Sequence, residues 1–151
     1  MTKIQIDFEF EFVRDAQTHQ VIVDLESPST NDEDQQAIKQ IIDEADIDLT
    51  DEEALEELGW EIDEYLQYDI IYPKLKISNI VLLEQDNKVT FDLTLNLWGK
   101  IFSTTDTLTD AKYFEIDADT SVDEVEAIIM RNYYGTHHNF DITELKLTVL
   151  P

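Results

Sequence analysis

The sequence contains no cysteine, and only three glycines and three prolines among 151 residues. Without cysteine there is no disulfide framework, no thiolate zinc site and no thiol nucleophile. Basic residues are also scarce. Ten Lys and Arg stand against 35 Asp and Glu, a formal net charge of −25. Such a chain lacks the cations from which nucleic-acid affinity is built, and anionic membrane surfaces repel it. Long apolar runs are missing too. The longest aliphatic stretches, such as Ile80 to Leu83, are about four residues, against the ~20 that a membrane-spanning helix needs. Met1 to Asp7 alternates in polarity instead of presenting a basic region followed by an apolar run, so it does not read as a secretory leader. The expectation is a cytoplasmic protein with no membrane role.

What is present suffices for a core. Apolar residues make up 42% and aromatics 10%, whereas disorder combines high charge with few aromatics. The length suits one compact domain over residues 1–151.

Periodicity outlines the elements. Ile4, Ile6, Phe8, Phe10 and Phe12 alternate with polar neighbours, which is the pattern of a strand with one buried face. Polar residues Arg14 to Gln17 turn the chain, and Val21 to Val23 with Leu25 return as a second strand. Ser27 to Asn31 form a break with helix-capping residues. Ile38, Ile41, Ile42 and Ala45 follow at helical spacing over Asp32 to Ala45. Thr50 to Glu53 fits a capping box for a second helix, with Leu55, Leu58, Ile62, Tyr65 and Leu66 as its apolar stripe. Gly59 interrupts that helix at a cost of roughly 1 kcal/mol relative to Ala. Leu75 to Leu83 reads as extended, Asp86-Asn87 as a tight turn, and Val89 to Leu97 as a second alternating strand. Lys112 to Ile116 is a short strand. Ser121 to Glu124 caps a third helix that Gly135 ends, and Phe140 to Val149 is extended.

The order is ββααβ-ββαβ, an α+β fold in which helices pack on one face of an antiparallel-rich sheet. The two halves, 1–85 and 86–151, align in order, with the helix near 32–45 as an insertion. Lys3 to Phe8 lies on Lys88 to Leu93, and Asp46 to Thr50 on Asp117 to Ser121. Leu75 to Ser78 lies on Leu145 to Thr148. These matches raise a duplication as one reading and loosely similar capped elements as the other.

The charge is concentrated. Asp24 to Asp69 holds 18 acids and one base, Lys39. On the second helix Glu52, Glu53, Glu56, Glu57, Glu61, Asp63 and Glu64 fall outside the apolar arc. Seven carboxylates over roughly 18 Å of helix approach the one charge per ~1.7 Å of duplex DNA within a factor of two. Carboxylates at i, i+3 and i+4 repel, and a net charge near 2–8 already keeps a small domain soluble. The display therefore asks for a cause beyond solubility. Trp60 falls within it, between Glu53, Glu56, Glu57 and Glu64. Two environments are open to it: an exposed anchor on a basic partner, or burial beneath the inserted helix or a loop.

In size, in its lack of cysteine and catalytic motifs, and in these dense carboxylate runs, the chain resembles the small acidic nucleic-acid mimics of phages and mobile elements. Those proteins inhibit restriction enzymes or CRISPR effectors by competing for the nucleic-acid channel. The resemblance implies a non-enzymatic inhibitor whose partner is a basic nucleic-acid-binding protein or nuclease, with no catalytic residues and no cofactor. The expected contact residues are Glu52, Glu53, Glu56, Glu57, Trp60, Glu61, Asp63 and Glu64, extended by Asp32, Glu33, Asp43 and Glu44. An immunity protein or antitoxin against a basic toxin is an alternative. A hydrolase with paired carboxylates is a weaker one, because abundant Asp and Glu carry no diagnostic value.

Metal motifs are incomplete. Asp46-x-Asp48-x-Thr50 and Asp117-x-Asp119-x-Ser121 open like calcium loops, but Asp51 and Val122 stand where an EF-hand needs glycine. His137-His138 is an adjacent pair remote from His19. No metal site is expected. Trp98, at the end of an alternating strand, is expected to point outward and either cap an edge or meet a partner.

Overall fold

A computed structural model describes residues 2–26, 32–134 and 141–151, and of residues 132–134 the backbone alone. The break at Ser27 to Asn31, Gly135, His137-His138, Phe140 and the side chains of Tyr133-Tyr134 lie outside the described residues. The class is α+β, as the alternating strands and capped helices predict. The strands form two three-stranded antiparallel sheets rather than one. The chain clusters into two compact units. The first comprises Met1–Pro73 and Asp141–Pro151, the second Lys74–Phe140.

The first unit begins with a hairpin of β1 (Lys3–Phe12) and β2 (Asp15–Asp24). Val13 and Arg14 join them with φ of +49° and +72°. Two left-handed residues make a hairpin turn whose twist matches that of the strands. Val13 is β-branched and ill suited to this region, and its side chain is buried. Ile4, Ile6, Phe8, Phe10 and Phe12 form the buried face of β1. Helix α1 (Glu33–Ala45) buries Ile38 and Ile42, and packs against β2 and the following helix. Helix α2 (Glu52–Tyr65) buries Leu58, Gly59 and Ile62, and continues as a π-helical stretch over Leu66–Ile71. The third strand of this sheet is the last element of the chain. It pairs antiparallel with β1, Leu145 opposite Phe8 and Val149 opposite Ile4.

The second unit starts with β3 (Lys76–Leu83), then β4 (Lys88–Leu97) and β5 (Lys100–Thr109), in sheet order β3-β4-β5. Trp98 and Gly99 close the β4–β5 hairpin with φ of +48° and +89°. Helix α3 (Val122–Ile128) is capped by Ser121, whose Oγ accepts from the Glu124 N–H, and runs into a π-helical stretch over Ile129–Tyr134. Strand β6 (Ile142–Leu150) then returns to the first unit.

The units repeat one plan. Each has two ten-residue strands joined by a two-residue turn and later a helix that passes into a π-helical stretch, with α1 as an additional helix in the first unit. In each, the third strand lies antiparallel beside the first strand of the hairpin. The buried positions of β1 recur in β4 as Val89, Phe91, Leu93, Leu95 and Leu97. The units do not follow the 1–85 and 86–151 division, because β3 completes the sheet of the second unit and β6 that of the first. The tail alignment also slips by two residues. Leu145 opposes Phe8, and the equivalent of Phe8 in β4, Leu93, is opposed by Ile77 rather than Leu75.

Three local expectations are corrected. Lys112 to Ile116 is a series of turns, and the strand paired with β4 is Lys100–Thr109, whose Ser/Thr-rich sequence lacks apolar alternation. The cap of α2 is Asp51, whose carboxylate accepts from the Glu53 N–H at 3.0 Å; the Thr50 hydroxyl is already donated to Asp48 at 2.6 Å. The β3–β4 connection is not a two-residue turn but a 3₁₀ turn over Glu84–Asp86 followed by Asn87 in the left-handed conformation.

Asn87 ties this connection to the segment after β5. Its Nδ2 donates to Asp110 at 3.1 Å, its Oδ1 accepts from the Lys112 N–H at 2.8 Å, and its carbonyl accepts from the Ala111 N–H at 2.9 Å. Replacing Asn87 by Ala removes both side-chain bonds and places a Cβ residue ill suited to φ +54°. The expected loss is about 1–3 kcal/mol in a denaturant melt, with Asn87→Gly intermediate because it relieves the backbone alone.

Candidate functional site: an acidic helix beside an open strand

Helix α2 presents the acidic display because its hydrophobic stripe is narrow. Leu58, Ile62 and Leu66 face the core, and the positions between them carry carboxylates. Glu52, Glu53, Glu56, Glu57, Glu61 and Glu64 are exposed, as expected. Trp60 lies among them and is 66% exposed, so among the described residues neither α1 nor a loop covers it. Asp63 departs from the expectation. It is half-buried, and desolvation pushes its carboxyl above the usual range, helped by the charges of Asp141 and Glu64.

The α1 residues divide. Glu33 is exposed in the first turn, where a carboxylate suits the helix dipole. Asp32 is the N-cap, accepting from the Asp34 and Gln35 N–H groups at 2.9 and 3.1 Å. Asp43 accepts from the Lys39 ammonium at 2.9 Å, and Glu44 from the Gln40 amide at 2.9 Å. Asp34 and Asp69, absent from the expected set, join Asp32 beside Tyr65. Together with burial, these three charges raise the Tyr65 hydroxyl pKa. Neither α1 nor α2 has a basic residue in its last turn. Asp43 and Glu44 thus sit where the helix dipole opposes them, whereas Asp63 and Glu64 are followed by further helical turns over Leu66–Ile71 and Tyr72–Lys74.

The structure adds what the helical wheel could not supply, a surface next to the display. A groove of about 470 Å³ runs between α2 and β6. Leu55 and Gly59 of the helix and Leu145 and Leu147 of the strand form its apolar part, and Glu52, Glu56, Trp60, Asp63, Glu144 and Lys146 its polar rim. Thr143 to Leu147 reach this site only because the last strand of the chain returns to pair with the first. Sequence reasoning missed Glu144 and Asp141 for the same reason.

The charge follows the units. The first holds 24 acids and four bases, net −20; the second holds 11 acids and six bases, net −5. In the second unit Trp98 is half-buried in its turn, with the Lys74 ammonium 5.3 Å from the ring centroid. The calcium-like stretches are spent on local structure. Asp48 accepts from the Thr50 N–H and hydroxyl, and Asp117 from the Asp119 N–H. Among the described residues no group of three His, Cys, Asp or Glu is arranged to hold a metal, and no helix is long and apolar enough to cross a membrane. Compared with family models, curated proteins and solved structures, the chain matches none of them significantly.

Gly59 is not required by space. A Cβ there would meet Leu145 Cδ2 at 3.5 Å, an ordinary contact. Gly59→Ala is therefore expected to stabilise the protein by about 0.5–1 kcal/mol through helix propensity, measured by urea unfolding. Asp63 makes a pH-dependent prediction. Its folded pKa is raised, so the carboxylate costs stability once pH rises through that value, and costs none below the unfolded pKa near ~3.9. Asp63→Asn should raise Tm at pH 7 and lose that advantage at pH 3.5. An equal gain at both values would show that burial and the charges of Asp141 and Glu64 are not responsible.

Proposed function

We propose that this protein is a non-enzymatic acidic inhibitor that occupies the basic groove of a nucleic-acid-binding protein or nuclease, its carboxylates standing in for phosphates. The observation that carries this reading is the exposed row of Glu52, Glu53, Glu56, Glu57, Glu61 and Glu64 on one helix, with an uncovered Trp60 inside it. The row carries one charge per ~3 Å of helix, within a factor of two of the ~1.7 Å of duplex DNA. Holding so many like charges on one helix costs stability through i, i+3 and i+4 repulsion, and this cost is concentrated in the unit that carries −20.

Association with such a partner is fast at low salt, because complementary fields steer the encounter, and it weakens as salt rises. Trp60 supplies the kind of large, rigid side chain in which interface energy concentrates. The anti-restriction and anti-CRISPR setting follows from the resemblance in class.

The test is capture of partners from a host lysate, followed by challenge with duplex DNA or RNA. Displacement of the captured protein by nucleic acid is the expected result. Capture that nucleic acid leaves intact would favour an antitoxin or immunity protein instead. Reversing Glu53, Glu56, Glu57 and Glu64 to Lys should abolish capture while leaving the melting temperature unchanged or higher. Unchanged affinity would remove this face from the interface.

A further inference from the structure

Strand β6 has β1 as its one strand neighbour among the described residues, so it is an edge of the sheet order β2-β1-β6. Five consecutive residues of β6, Thr143 to Leu147, line the groove beside α2. Alternate side chains of a strand point to opposite faces of its sheet. Thr143 is the extra residue of a bulge, but Glu144 to Leu147 pair in register with Glu9 to Ile6, so a groove touched by each of these four in turn runs along the strand's edge, where backbone N–H and C=O groups are presented. Such an edge invites a further strand.

The opposite wall is α2 from Glu52 to Asp63, roughly 16 Å at 1.5 Å per residue. Five residues of strand cover about the same length. The rim carries Glu52, Glu56, Asp63 and Glu144 against one base, Lys146. Trp60 stands on the rim with most of its indole exposed. An arginine guanidinium both pairs with carboxylates and stacks on an indole face.

We infer that the groove between α2 and β6 receives an extended, arginine-containing segment of the partner, which adds as a fourth strand alongside Thr143 to Leu147 and stacks an arginine on Trp60. Main-chain hydrogen bonds to β6 supply register, and the acidic rim selects a basic sequence, as in other cases of strand addition. The inference rests on the reading of the protein as a ligand for a basic partner. It goes further in naming the element bound. The interface then extends beyond phosphate-like contacts along α2 to an edge that reads backbone.

The probe is a capped seven-residue peptide alternating arginine with valine, titrated into the full-length protein with amide NMR and hydrogen exchange as readouts. Binding should slow exchange at Thr143 to Leu147 by about tenfold or more at saturation. A peptide of the same charge, N-methylated on alternate amides, should bind at least about tenfold more weakly. Trp60→Ala should weaken the parent peptide about three- to tenfold, the range of a partly exposed cation–π contact, and Trp60→Phe should recover part of the loss. Trp60 is exposed, so neither substitution threatens the core. Equal binding of the N-methylated peptide, no protection of the β6 amides, or indifference to Trp60→Ala would each overturn the inference. The capture experiment separates its fate from that of the mimicry reading. If the peptide docks on β6 but nucleic acid does not displace the captured partner, the groove stands and mimicry falls. If nucleic acid displaces the partner and the peptide fails to dock, mimicry stands and the groove falls.

Discussion

Strands β1 and β4 are each hydrogen-bonded on both edges, and the rest of the structure depends on that constraint. Each buries five alternate side chains, Ile4 to Phe12 and Val89 to Leu97, against its own unit. A two-stranded hairpin alone is marginal in water, so each hairpin needs a third strand. Neither takes the strand that follows its own helix. β3 leaves the first unit to complete the second, and β6 returns to complete the first. The second sheet is a local meander of three consecutive strands, whereas the first is closed by β6 from the far end of the chain, a long-range pairing that is slow to form.

The same arrangement organises the polar faces. Asp7 and Asp92 occupy the equivalent position of β1 and β4. Asp7 accepts from Gln5 and Gln20 at 2.8 and 2.7 Å, and Asp92 from Asn79 and Thr105 at 2.7 and 2.9 Å. These bonds hold both carboxyls below the usual range. Both therefore contribute stability above the ordinary carboxylate pKa that is lost as pH falls through the depressed one. The acids of the sheets are used to organise neighbours, whereas those of α2 face water. Asp63 stands between these cases, half-buried and destabilised. The acidic helix is tolerated because Leu58, Ile62 and Leu66 on its other side are fully covered, and burial of such side chains contributes about 1.5–3 kcal/mol each.

Legibility followed the strength of local signals. β1 and β4 were readable because ten residues of strict alternation admit one period. α1 was readable to within one residue: Asp32, expected as its first helical residue, is instead its N-cap, a role the sequence pattern assigns to Ser27 to Asn31. β5 was not, because Ser103, Thr104, Thr105 and Thr107 give no apolar alternation, and its identity as a strand comes from pairing with β4. Lys112 to Ile116 misled through a chance spacing of Phe114 and Ile116. There the Ile116 N–H is bound to the Ala111 carbonyl in a turn, and Tyr113 is exposed. Asp51 displaced Thr50 as a cap because the Thr50 hydroxyl had a nearer acceptor in Asp48.

By itself, the sequence determined the α+β class, the two alternating strands, the three helices, the acidic arc of α2 and the place of Trp60 on it. These are consequences of period and composition, which act over a few residues. The tertiary structure alone decided that β6 completes the first sheet, that −20 of the charge lies in one unit, that Trp60 is exposed while Asp63 is half-buried, and that an open strand edge runs beside the acidic helix. Each of these depends on contacts between residues far apart in the chain, Glu52 to Asp63 with Thr143 to Leu147 above all, and no local pattern encodes them.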